Sequence, residues 1–151
     1  IVSRLAHYGS FGANYEVFPL GGQGGVRGYA REDEDYRKRD ILIYNLEARI
    51  PLFPDVNYHM WYLFPDFYIK NIYLGIFSDQ GVRWDDRTVD FIDAWPERRR
   101  DDFFQSVGMS LKFNTFILET FPFFFSFEWA KRTTTNGGIL YGSIYQYFTF
   151  K

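Results

Sequence analysis

Arg27 is the residue whose setting most invites chemistry. It lies in the stretch Phe18–Tyr29, FPLGGQGGVRGY, where Gly21, Gly22, Gly24 and Gly25 surround one glutamine and Val26, Gly28 and Tyr29 flank the arginine. Glycine-rich backbone takes positive φ and packs closely against other chain segments, so this run can carry a guanidinium into a confined space. Two nucleotide-binding readings fail. A GxxxxGK[ST] phosphate loop needs a lysine and a hydroxyl after its last glycine, and a GxGxxG fingerprint begun at Gly22 needs glycine where Arg27 stands. An ordinary glycine-rich surface loop has the same composition. No catalytic set is visible elsewhere: His7 and His59 are isolated on separate segments, and separated histidines are more often structural. The sequence therefore predicts no enzyme and no cofactor.

Composition frames that loop. The chain of 151 residues holds 18 Phe, 12 Tyr and 4 Trp, yet 24% of it is charged and its mean hydropathy is negative. This is not the make-up of apolar helices, and no run approaches the roughly 18 apolar residues that a spanning helix needs. It fits a transmembrane β-barrel, where lipid-facing and lumen-facing residues alternate and aromatic girdles mark both interfaces. Cysteine is absent, which excludes a disulfide framework and thiol catalysis. The net charge of −2 offers no basic face for nucleic acid. The chain opens at Ile1 without methionine or a signal-peptide pattern, and is read as a piece of a longer protein.

Five strands are expected, with Ile1–Tyr8 as the tail of a sixth. Ile41–Pro51 alternates, placing Leu42, Tyr44, Leu46, Ala48 and Ile50 on one face and Asn45, Glu47 and Arg49 on the other; Pro51 and Pro54 are expected to close it. Tyr68–Gly81 sets Ile72, Leu74 and Ile76 against Tyr73, Gly75, Phe77 and Asp79, and Phe103–Thr115 sets Val107, Met109, Leu111 and Phe113 against Ser106, Gly108, Ser110 and Lys112. A tight reversal at Asn114–Thr115 leads into Phe116–Arg132, and Gly142–Phe150 is the last strand. Long charged loops are expected over Gly9–Asp40 and Gly81–Asp102. In the second, Asp85, Asp86, Asp90 and Asp93 lack EF-hand spacing, so no metal is assigned.

Phe121, Phe123, Phe125, Phe127 and Trp129 share one strand face, a large exposed patch in water but reasonable against lipid. A buried sandwich face, with a polar counter-surface for Ser126 and Glu128, is the soluble alternative. If Ile72, Leu74 and Ile76 face lipid, Asp79 points into the lumen, where a lone desolvated carboxylate needs a partner. Arg27 can supply a bidentate guanidinium there. The expected site is an Arg27–Asp79 pair that pins the loop, with Tyr29 packed beside it and Glu47 as a second partner.

Three motifs stand in one order: Val26-Arg27-Gly28-Tyr29, then Phe77, Asp79 and Gly81 as F-x-D-x-G, then the aromatic end Tyr147, Phe148 and Phe150. In these residues, and in Asn45–Pro51, the chain resembles the bacterial surface-antigen barrel of the BamA and TamA type of outer-membrane assembly factor and of two-partner-secretion transporters. The resemblance implies an all-β fold, with residues 1–151 the C-terminal portion of one transmembrane antiparallel β-barrel domain, five or six of about 16 strands. It implies a bacterial outer-membrane location and the insertion or translocation of proteins without nucleotide, through a seam of which the last strand is one lip. Tyr147, Phe148 and Phe150 are by the same resemblance a barrel-assembly signal. The implied partners are outer-membrane lipids, unfolded β-barrel or secreted protein substrates, and accessory lipoproteins, with no nucleic acid. Two alternatives stand beside this: a barrel of the same family that anchors or exports a fused enzyme, and a soluble β-sandwich binding module.

Overall fold

A strand that alternates apolar and polar residues needs neighbours on both edges and a separate environment for each face. The computed structural model describes residues 1–10, 14, 16–31, 37–60, 67–84, 103–117, 121–133 and 137–146. In chain order its strands are β1 (Val2–Gly9), β2 (Phe18–Pro19), β3 (Arg37–Lys38), β4 (Asp40–Phe53), β5 (Tyr58–His59), β6 (Phe67–Trp84), β7 (Phe103–Ile117), β8 (Phe121–Arg132) and β9 (Gly138–Gln146). The described residues contain no helix, and hence none long and apolar enough to cross a membrane. The main sheet has the antiparallel order β1-β4-β6-β7-β8-β9, with β5 added to β6, while β2 and β3 pair with each other. Among the described residues β1 and β9 remain as the two edges.

Register places chosen residues in rows across the sheet. Asn45, Asp79, Ser106 and Arg132 form one row; Glu47, Phe77, Gly108 and Ala130 the next; Arg49, Gly75, Ser110, Glu128 and Tyr141 a third. The middle of this face is built from small residues, which leaves room for another segment to lie on it. The opposite face carries Tyr44, Leu46, Ile76, Met109, Phe127, Trp129, Leu140 and Ile144, all exposed. The stretch from Leu20 to Tyr29 fills the first face. A single Arg27 nitrogen lies 3.3 Å from Glu47 on β4 and 3.2 Å from Glu128 on β8. Those strands would stand about 14 Å apart in a flat sheet; Arg4 of β1, Asn45 and Glu47 of β4, Lys112 of β7 and Ser126 and Glu128 of β8 also line one cavity of about 920 Å³, so the sheet curls around its loop, small-residue face inward.

The structure moves several expected boundaries. β4 continues through Pro51 to Phe53, with a register shift between them. Among the described residues β1 pairs with β4 over Asp40 to Glu47, and Pro51, which has no N–H to give, lies beyond that ladder. The reversal expected at Asn114–Thr115 is not there. β7 runs on to Ile117, which pairs with Phe121, and Thr115 is buried with its Oγ1 donating to the Phe123 carbonyl at 2.9 Å. Asn-Thr lacks the glycine that a two-residue hairpin favours, whereas both segments keep strand alternation. The last strand begins at Gly138, not Gly142, and the Gly9–Asp40 loop holds the β2–β3 ladder. Asp85, Asp86, Asp90, Asp93, Tyr147, Phe148 and Phe150 lie outside the described residues.

Thr115→Val keeps shape but removes the bond to Phe123. It is expected to cost about 1 kcal/mol in a denaturant titration, the net worth of one such hydrogen bond; no loss would mean that the ladder ends before this point.

Candidate functional site

The loop is closed by its own backbone bonds as well as anchored to the sheet. Val26 N donates to the Leu20 carbonyl and Gly22 N to the Tyr29 carbonyl, each at 2.8 Å. A β-carbon at Gly25 would lie 2.1 Å from the Leu20 oxygen, so only glycine permits this closure. Leu20, Val26 and Tyr29 then join Ile41, Ile43 and Phe104 in one buried cluster. Half of that core comes from the loop and half from the concave face, which makes the loop a structural part of the sheet.

Arg27 is the charged centre. Its Nε lies 2.7 Å and its Nη2 2.9 Å from the two Asp79 oxygens, a bidentate pair, and its backbone N–H also donates to Asp79 at 3.1 Å. The remaining nitrogen reaches Glu47 and Glu128. The guanidinium carbon stands 3.3 Å from the centre of the Phe77 ring, so one flat face of the cation rests on an aromatic surface. Asp79 is fully buried. Burial alone would push the guanidinium pKa down; hydrogen bonding and charge from Asp79, then Glu128, more than offset this and hold it above its ordinary value. The three carboxylates are matched by three cations. Glu47 also takes Arg49 Nε at 2.7 Å and Lys112 Nζ at 2.6 Å, and Lys112 stands 3.6 Å from Glu128. Such charges are stable under burial only when each has partners.

Each motif residue has a physical task. Val26 is buried against Gly81, where a β-carbon would come within 2.6 Å of its Cγ2. Gly28 has φ of +96°, a conformation that side chains oppose; it donates to the Tyr141 hydroxyl at 2.8 Å and accepts from Arg132 Nε at 2.7 Å. Tyr29 meets Phe104 edge-on with centroids 5.2 Å apart, donates to the Gln105 carbonyl, and lies under the Arg132 guanidinium. Phe77 in turn needs Gly108, since a β-carbon there would sit 2.4 Å from the ring.

The structure thus brings together Val26, Arg27, Gly28, Tyr29, Phe77, Asp79, Gly81 and Glu47. Glu128 and Lys112 belong to the same cluster, and nothing in the sequence marks them directly as partners of Arg27. Glu128 had one signal, its place opposite the aromatic row. Among the described residues no group of three or more His, Cys, Asp or Glu is placed to hold a metal, and the charged groups of the cluster are engaged with one another. What it can do is hold a loop. Comparison with protein-family models, curated proteins and solved structures returned no match.

Arg27→Ala should cost about 3–5 kcal/mol, since it leaves Asp79 buried without its cation. In a double-mutant cycle with Asp79→Ala, a coupling of roughly 2–3 kcal/mol is expected, and additive losses would show that the two do not act as a pair. Arg27→Lys should recover little of this, because an ammonium cannot make the bidentate contact or lie flat on Phe77. Gly81→Val should destabilise by roughly 1–3 kcal/mol through collision with Val26 and Leu20, read as a lower midpoint in thermal unfolding.

Proposed function

We propose that this chain is the C-terminal portion of a transmembrane β-barrel in the bacterial outer membrane, and that the barrel inserts or translocates proteins with its lumen loop held by Arg27. The observation that carries the reading is the inverted polarity of the sheet. Its concave face holds the charged cluster, while its convex face is apolar, with Ile76 and Phe127 each 54% and Leu140 71% exposed. In water such a face needs a cover, and no described residue supplies one; against hydrocarbon it needs none. The order of the VRGY and F-x-D-x-G residues, now in contact, supports the same assignment.

On this reading outer-membrane lipids meet the convex face, and the missing strands of the barrel continue from β1. Where the seam beside β9 opens, the backbone groups of that edge can pair with a strand of an unfolded β-barrel or secreted substrate. Accessory lipoproteins are further partners of the whole machine. On this reading the barrel works without covalent chemistry and without nucleotide.

The test replaces the protein in cells by its full-length Arg27→Ala form while the wild type is depleted. A broad fall of other β-barrel proteins in the outer membrane, with the variant itself present there, is the expected result. Loss of a single surface protein instead would identify a dedicated secretion or enzyme-anchoring barrel. Recovery of the intact protein from the soluble fraction without detergent would defeat both and leave the binding module.

A further inference from the structure

The loop is tied to the sheet in two unlike ways. Toward β6 the tie is the buried, charge-assisted contact of Arg27 with Asp79. Toward β9 it is neutral. The Tyr141 hydroxyl accepts from Gly28 N at 2.8 Å and donates to the Tyr29 carbonyl at 3.3 Å, while Gln23 Nε2 donates to Ser143 Oγ at 2.8 Å and Ser143 shares a 2.6 Å hydrogen bond with Ser126. Charge-assisted hydrogen bonds are about twice as strong as neutral ones. Between Gly138 and Ile144 no residue is buried, and among the described residues the strand is paired with β8 alone. Few buried contacts and a single ladder are the marks of a segment that opens locally before the rest.

We propose that Tyr141, helped by Ser143, is a latch that positions the edge strand β9 against the loop, so that β9 leaves β8 only when the loop tip gives up these bonds. The loop itself stays on β6 through Arg27. Gly24, next to Gln23, accepts from Arg4 of β1 at 3.1 Å, so the same tip touches both edges of the sheet. Tyr141 suits the task because one hydroxyl, reaching in from the row of Glu128 and Ser110, serves a loop donor and a loop acceptor at once. The device concerns how β9 is held and stands independently of what the convex face meets.

Hydrogen–deuterium exchange on the purified full-length protein tests it. Tyr141→Phe keeps the ring and removes the hydroxyl. The expected result is exchange about tenfold faster at residues 138–146, with residues 40–53, 67–84 and 103–117 unchanged. Gln23→Ala with Ser143→Ala, which leaves Tyr141 in place, should give a smaller rise confined to the same strand. Unchanged exchange at 138–146 in both variants would overturn the latch. An equal rise in every strand would also overturn it, since that is the signature of general destabilisation. Because no assembly activity enters the readout, failure here and failure of the assembly reading are separate results.

Discussion

The structure depends on one buried cation. Arg27 is 5% exposed and brings two oxygens of Asp79, one of Glu47 and one of Glu128 to a single guanidinium, over the ring of Phe77. Placing an ion there is costly unless every donor and every facing oxygen is used, and the surrounding choices follow from that need. Gly108 makes room for Phe77, Gly81 for Val26, and Lys112 and Arg49 balance the extra carboxylates. A hydrophobic plug would have filled the same space, but it would have fixed neither the depth nor the rotation of the loop. A planar cation with a bidentate partner fixes both.

The distribution of polarity follows from the same arrangement. The apolar cluster of Leu20, Val26, Tyr29, Ile41, Ile43 and Phe104 lies between loop and sheet. Beside it the charged group occupies the concave side, and the larger share of exposed apolar side chains is left on the convex side. A sheet with this division is complete only when two different surroundings meet its two faces.

Much of this was legible in sequence because a strand writes its faces with period two. Leu42, Tyr44 and Leu46 against Asn45 and Glu47 gave the orientation of β4, and Phe77, Gly75 and Asp79 that of β6; the burial of Glu47, Phe77 and Asp79 agrees. Arg27 and Asp79 stand out in the sequence because a lone charge on an inward face needs a partner. Where strands stop was less legible. Asn114-Thr115 has turn-like composition, but the cross-strand contacts of Thr115 and Phe116 with Phe123 and Pro122 outweigh it. Tyr141 could not be singled out, since its role comes from register with Glu128 and from a loop more than a hundred residues earlier.

That distance has a consequence for how the molecule comes together. Arg27 and Glu128 are 101 residues apart, and Gly28 and Tyr141 are 113 apart. Closing so long a span is rewarded only once the intervening hairpins exist. The loop's bonds to Glu128 and Tyr141 therefore wait on β8 and β9, whereas those to Asp79 and Glu47, 52 and 20 residues away, need only the strands made before them.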